Sequence, residues 1–320
     1  MEPFRPLFRN PHLLTIAGNF AIRRLDTKRF PIESHFYTTE PDVQVLVHTQ
    51  RPATGARGEI VMIHGLEGSS AAGYMRSMSQ LALENGYAVH RTNMRSCGGT
   101  EALAKTMYHA GMTGDTLSVI RQIRAERTAP IFLFGYSLGG NVALKLAGEL
   151  GDAAQGLLRG VCAVSTPLDL AACVRKTGQP ENRIYSGRFL NRLKDRIKKR
   201  ADSLAGICDV EAIQRCRTIY EFDDLATAKF FGFGTAGNYY ATQSCSQFLH
   251  AIRVPTLLVQ AKDDPLIPFD MFHNPAIAAN PFIELFAVEH GGHLGFVANA
   301  EPRFWVDRIL LQWIQKAGNK

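Results

Sequence analysis

The chain has 320 residues, 46% of them hydrophobic, and a formal net charge of +7. That length and apolar share allow one or two globular domains around a sizeable core, and disorder is not expected to dominate. No stretch approaches the roughly 20 apolar residues that cross a bilayer, and Pro3, Pro6, Asn10 and Pro11 interrupt the opening Met1 to Phe20, so no secretory signal is expected and the expected address is the cytoplasm.

In chain order, short apolar runs alternate with polar or glycine-rich turns and helical patterns. Glu59 to Ile63 reads as a strand, followed by His64-Gly65, then a helical stretch from Gly73 to Glu84 that ends at Asn85-Gly86. Tyr87 to Thr92 reads as the next strand, running into Asn93-Met94-Arg95. Asp115 to Arg127 is amphipathic, with Leu117, Ile120 and Ile123 on one side. Ile131 to Phe134 is a strand, Val142 to Leu150 a helix, and Gly160 to Val164 a strand. This alternation predicts an α/β fold, a mostly parallel central sheet with helices on both faces.

From about Leu170 to Arg253 the rhythm breaks. The segment has no good strand; it is charged first and then aromatic, with Phe222, Phe230, Phe231, Phe233, Tyr239, Tyr240 and Phe248. It is too long for a simple loop. The expected organisation is a core of residues 1–169 and 254–320 with an inserted helical cap at 170–253. Strands resume at Thr256 to Gln260 and Phe282 to Val288, and Pro302 to Gln315 reads as a closing helix.

Within the insert, Arg188 to Arg200 contains seven Lys or Arg residues opposed only by Asp195. A basic helix can meet nucleic acid or an anionic membrane. The expectation is instead a solvated helix face with Phe189, Leu190, Leu193 and Ile197 turned inward, so neither nucleic acid nor contact with a membrane surface is expected. The six cysteines, Cys97, Cys162, Cys173, Cys208, Cys216 and Cys245, form no C-x-x-C pair and read as reduced thiols.

Gly135-Tyr136-Ser137-Leu138-Gly139 fits G-x-S-x-G between a predicted strand and a predicted helix. The turn there is tight enough to strain the serine backbone, and side chains at 135 and 139 would collide with neighbouring elements. A serine hydroxyl needs a base to accept its proton. Glu289-His290-Gly291-Gly292-His293-Leu294-Gly295-Phe296 lies just past a predicted strand, and its glycines suit a close approach of His293; His290 is the competitor. The acid that would orient the imidazole lies in Asp263-Asp264-Pro265-Leu266-Ile267-Pro268. The D-x-x-I-P placement favours Asp264 over Asp263, with Asp169 a third candidate. The developing oxyanion needs two backbone N–H groups; Leu138 and Leu66, the latter in His64-Gly65-Leu66-Glu67-Gly68, are the candidates. Two histidines three apart without a third ligand by spacing do not make a catalytic zinc site, so no metal is expected, and no redox or nucleotide cofactor is implied.

Taken together, the chain resembles the YheT-like branch of the α/β-hydrolase superfamily nearly end to end. The resemblance rests on Asn10-Pro11-His12-Leu13-Leu14-Thr15-Ile16, HGLEGSS from His64, Asn93 to Gly99, Tyr108 to Gly111, GYSLGGN to Asn141, STPLDL from Ser165, DDPLIP from Asp263, and GGHLGF to Phe296. It implies the α/β-hydrolase fold, Ser137, Asp264 and His293 at the family's triad positions, and Leu66 and Leu138 at its oxyanion positions. The family usually carries glycine after the arginine of N-x-R-G-C; here Ser96 stands there, which bears on local turn geometry. The H-x4-D motif discussed for acyltransferase relatives is not met, because five residues separate His109 from Asp115, and His109 reads as structural. The function expected is a serine hydrolase that cleaves small-molecule carboxylic esters with short- to medium-chain acyl groups through an acyl-enzyme on Ser137. The rivals are acyl transfer to an alcohol or thiol and a non-catalytic binding protein on the same fold.

Overall fold

The computed structural model describes residues 3–200, 204 and 206–318. The expected core and insert therefore include a few positions, 1–2, 201–203, 205 and 319–320, that lie outside the described residues. Eight strands form one sheet: β1 (Glu33–Glu40), β2 (Val43–Gln50), β3 (Glu59–Ile63), β4 (Ala88–Thr92), β5 (Ile131–Tyr136), β6 (Gly160–Val164), β7 (Thr256–Ala261) and β8 (Ile283–Val288), in the order β1-β2-β4-β3-β5-β6-β7-β8. All pairings from β4 across to β8 are parallel; β1–β2 and β2–β4 are antiparallel.

The sequences of the central strands account for this arrangement. EIVMI, IFLFGY, GVCAV and TLLVQA are buried along their whole length, as strands covered by helices on both faces must be. On one face α3 (Gly114–Glu126) and α4 (Leu138–Leu150) bury Val119, Ile123, Leu144 and Leu146. On the other, α2 (Gly73–Glu84) and the closing helix α8 (Trp305–Gly318) bury Met75, Met78, Ile309 and Leu310. Each such side chain contributes on the order of 1.5–3 kcal/mol by leaving water, so the strand ends that carry the loops rest on a rigid base.

The antiparallel pair β1–β2 and the N-terminal helix α1 (Pro11–Phe20) extend the plan beyond what the alternation predicts. β2 alternates buried and exposed side chains, Val43, Val45 and Val47 inward, the signature of a half-covered strand. The polar run ESHFYTTE conceals β1, of which only Tyr37 is buried. Some boundaries also shift. α4 starts at Leu138, directly after the serine, rather than at Val142, and α8 starts at Trp305 rather than Pro302.

Between β6 and β7 the described residues contain no strand; their helices include α5 (Leu170–Thr177), α6 (Arg183–Lys199) and α7 (Ala236–Gln243). Leu190, Leu193, Ile197, Ile213 and Phe222 give this segment a small core of its own. The buried Asn141 of α4 ties it down. Its Nδ2 donates to the carbonyls of Ala110 and Gln243, 2.9 Å each, and its Oδ1 accepts from the Cys245 amide at 2.8 Å.

Glycines set how closely α4 can follow β5. A Cβ at Gly139 would lie 2.6 Å from the His64 carbonyl oxygen, and one at Gly135 would lie 2.5 Å from the Gly140 Cα. Neither neighbour is the end of a flexible side chain, so the backbone itself would have to move. Gly139→Ala is therefore expected to lower unfolding stability by about 1–3 kcal/mol, the range of an overpacked core, measured as a shift in denaturant midpoint.

Candidate active site

Ser137 sits between β5 and α4 with φ 52° and ψ −122°, a region that L side chains rarely occupy. Its amide donates to the Val164 carbonyl at 2.8 Å, and its own carbonyl accepts from the Gly140 amide at 2.8 Å. These bonds on both sides hold the turn. His293 Nε2 lies 3.0 Å from Ser137 Oγ, and His293 Nδ1 lies 2.9 Å from Asp264 Oδ2. With Nδ1–H donating to the carboxylate, Nε2 is left to accept from the hydroxyl. The Asp264 side chain is fully buried and the His293 ring nearly so. Asp264 Oδ1 accepts from the amides of Leu266 and Ile267 at 2.9 and 3.1 Å, and Gln260 Nε2 approaches Oδ2 at 3.3 Å. The structure thus brings the three expected side chains together in one hydrogen-bonded chain.

The competing residues take other positions. Asp263 accepts from His290 Nδ1 at 3.0 Å and from the Gly292 amide at 2.9 Å, so these two brace the histidine loop from its outer side. Asp169 caps α5, accepting from the Ala172 amide at 3.0 Å. His109 packs edge-on against Phe231 and Phe233, with ring centroids 4.7 and 5.3 Å away, and burial pushes its pKa down to about 4. Asp115 is bound by Arg95 through two contacts of 2.6 Å rather than by His109. Ser96 adopts φ 61°, a left-handed conformation that glycine takes without steric cost; its hydroxyl accepts from Arg200.

Leu66 and Leu138 both line the space around Ser137 and His293. The loop that carries Leu66 passes close by: a Cβ at Gly65 would lie 3.0 Å from Ser137 Cβ. His64 pins the base of that loop. Its Nδ1 donates to the Gly65 carbonyl at 2.8 Å and its Nε2 accepts from the Met94 amide at 3.1 Å. Burial lowers its pKa to about 4, so the ring is neutral and this tautomer holds at ordinary pH.

Glu67, the next residue, has φ 55° and is clamped from the insert. Arg196 of α6 donates to Glu67 Oε2 at 2.8 Å and lies 4.8 Å over the Tyr108 ring; Tyr108 Oη donates to Glu67 Oε1 at 3.0 Å; Arg192 reaches the Glu67 carbonyl at 3.3 Å. Arg200 donates to the carbonyls of Glu101 and Ala104. This revises the expectation for the basic run. Leu190, Leu193 and Ile197 do face inward, but Arg196 and Arg200 are buried with them, at 9% and 6% exposure, rather than lying on a solvated face.

Sequence reading missed the role of α1. Asn10 caps it, accepting from the Leu13 amide, and Pro11 opens it. Thr15 on its inner face then accepts from the His293 amide at 2.8 Å. Gly18 and Gly295 let helix and loop touch: a Cβ at Gly18 would stand 2.7 Å from the Gly295 Cα. The signal was present in the Asn-Pro cap followed by the uncharged LLTIAGNF.

Two cavities meet at Ser137 and His293. The inner one, about 130 Å³, is enclosed mainly by apolar side chains including Met107, Leu170, Phe189, Leu193, Ile219 and Phe222. The outer one, about 570 Å³, opens between α1, α6 and the Leu66 loop. Asp223 also lines the inner cavity, where it accepts from Thr227 Oγ1 and Tyr240 Oη, both at 2.7 Å; burial pushes its carboxyl up to about 6. Among the described residues no cluster of His, Cys, Asp or Glu could hold a metal ion, and no helix is long and apolar enough to cross a membrane.

The family described as serine aminopeptidase, S33, matches residues 54–279. The YheT protein of Escherichia coli (strain K12) is 30% identical over 313 residues, covering 96% of this chain and 91% of that protein. The chain belongs to the YheT-like branch of the α/β-hydrolase superfamily. A monoacylglycerol lipase of Saccharomyces cerevisiae is 24% identical over 331 residues, covering 97% of this chain and 73% of that protein. Against other eukaryotic relatives the chain spans about two thirds of their length, 66% and 64% in two cases. An esterase of Pyrococcus furiosus, Pf2001, superposes with a TM-score of 0.60 at 16% identity, over 99% of this chain and 97% of that one, a likeness of fold. In this chain the opening NPHLLTI has its physical role in holding the histidine loop, and HGLEGSS in the clamp on Glu67.

The buried Glu67–Arg196 pair makes a testable element. Arg196→Met leaves an unpaired buried carboxylate and is expected to cost about 3–5 kcal/mol; adding Glu67→Gln should recover much of the loss, read by a double-mutant cycle in denaturant. Asp223 makes another. Its folded pKa is above its unfolded value, so its contribution to stability is full below about pH 4 and is lost as pH rises through about 6. Wild type should therefore gain thermal midpoint relative to Asp223→Asn on acidification across that window.

Proposed function

We propose that the protein is a carboxylic ester hydrolase acting on short- to medium-chain acyl groups through an acyl-enzyme on Ser137. The observation that carries the proposal is the continuous hydrogen-bonded chain Ser137–His293–Asp264 at the junction of an apolar inner cavity and an open outer one.

In this reading the acyl chain enters the inner cavity and the alcohol portion lies in the outer one. Ser137 Oγ attacks the carbonyl carbon while its proton passes to His293 Nε2. The Leu66 and Leu138 amides receive the oxyanion, and Asp264 stabilises the imidazolium through Nδ1. Collapse breaks the bond to the alcohol oxygen, which takes the proton from Nε2 and leaves. Water then attacks the acyl-enzyme with His293 again accepting a proton, and the acid departs as Ser137 regains its hydroxyl. The yeast relative is named a monoacylglycerol lipase, and the same bond type is proposed here. The apolar lining of the inner cavity supports an acyl chain there.

Ser137→Ala is expected to lower kcat for p-nitrophenyl esters by roughly 10⁴–10⁶-fold, and a fluorophosphonate probe should label wild type at Ser137 only. Across esters from acetate to palmitate, turnover should peak at a medium chain and fall for palmitate. Equal activity of wild type and variant, with no labelling, would defeat the assignment; a flat chain-length profile would defeat only the acyl preference.

A further inference from the structure

We propose that the rim of the outer cavity, formed by α1 and the start of α6, is a docking surface for an anionic lipid membrane, which would present acyl esters to the mouth above Ser137. Only the purpose of the docking rests on the esterase reading; the surface stands on its own observations.

The first observation is where exposed apolar side chains collect. On α1, Leu13, Ile16 and Phe20 are 49%, 46% and 71% exposed, while Leu14, Thr15 and Gly18 are buried against the histidine loop. The exposed three are spaced i, i+3 and i+7, one stripe along the outward face. Ile22, just past the helix, is 87% exposed, and Ile184 at the start of α6 is 76% exposed. The two helices adjoin: the His12 and Tyr185 rings stack 5.8 Å apart and His12 Nδ1 lies 3.3 Å from Tyr185 Oη. α1 carries no charged residue, so it presents apolar side chains to the core and to the outside alike. A helix facing water on that second side has a polar face; an apolar one marks a surface that is covered in use.

The second observation is charge. From Pro3 to Leu25 the chain carries the exposed Arg5, Arg9 and Arg24 and no acidic residue, while Arg23 is buried against Ser77 and the Gly18 carbonyl. Arg188 and Arg192, both exposed, line the same cavity as Ile16 and Phe20. Arginines around an apolar stripe suit a membrane interface, with apolar tips below the headgroups and guanidinium groups among the phosphates. An acidic protein would engage the arginines, but it offers no comparable medium for Phe20 and Ile22. The outer cavity contains Ser137 and His293, so a lipid seated on this rim has a direct path to them. The membrane contact that the sequence left possible but not expected is favoured by how the insert meets the N-terminal helix.

The test is flotation of the full chain, carrying Ser137→Ala so that turnover plays no part, with vesicles of equal parts phosphatidylcholine and phosphatidylglycerol. Co-flotation is expected, weakening with added salt and with phosphatidylcholine alone. Ile22→Asp combined with Ile184→Asp, neither of which lines a cavity, should weaken it by more than about tenfold. In the chain with native Ser137, the same pair should leave hydrolysis of a soluble butyrate ester unchanged, which separates failure of docking from failure of the esterase reading. No flotation, equal flotation of the variant, or equal flotation on neutral vesicles would overturn the proposal. A solution dimer dissolved by Ile22→Asp, without vesicle binding, would assign the face to a second copy of the chain and overturn it as well.

Discussion

Ser137 is held at φ 52° because β5 and α4 meet with no room for side chains at Gly135 or Gly139. Much of the molecule exists around that turn. The parallel strands on either side supply its backbone partners, the carbonyl of Val164 in β6 among them. The loop after β3 also passes close by: a Cβ at position 65 would come within 3.0 Å of Ser137 Cβ. Strain of this kind persists only where surrounding packing over-determines the conformation. Here the two buried faces of the central sheet provide that packing.

The histidine loop is determined from three directions. Asp264 holds the His293 ring, Asp263 holds the Gly292 amide and the His290 ring, and Thr15 of α1 holds the His293 amide. Gly292, Leu294 and Phe296 all have positive φ, so the loop is tight as well as bonded. The N-terminal helix is thus part of the frame of the site. Its two faces do different work: the inner face positions the imidazole, and the outer face is left apolar at the cavity rim.

The helical insert is joined to the core by ionic rather than purely apolar contacts. Arg196 of α6 crosses to Glu67 and stacks on Tyr108, and Arg200 reaches Ser96 and the carbonyls beyond it. A buried pair of this kind is weak evidence for stability, since desolvation offsets much of the attraction. Its geometry is specific, however, and it fixes the segment next to Leu66 relative to the inner cavity. That is a physical reason for a basic run in a helix that also has an apolar face.

The parallel sheet, the helices on its two faces and the strandless insert were legible in the chain because burial on both faces demands uninterrupted apolar runs, as in EIVMI, IFLF and GVCAV. The serine turn was legible because its glycines and flanking patterns follow from local backbone sterics. The residues expected to converge could be named for the same reason: the D-x-x-I-P placement favours Asp264 over Asp263, and the flanking glycines favour His293 over His290. What the tertiary structure adds is the 2.9 Å and 3.0 Å contacts that link Asp264, His293 and Ser137, while Asp263 pairs with His290. Likewise the inward turn of Arg196 and Arg200, the attachment of Thr15 to the histidine loop and the exposed stripe on α1 depend on partners more than ninety residues away in the chain. Local propensity and periodicity report what a segment can form; which of its faces is covered, and by what, is set by the packing of segments that the sequence keeps far apart.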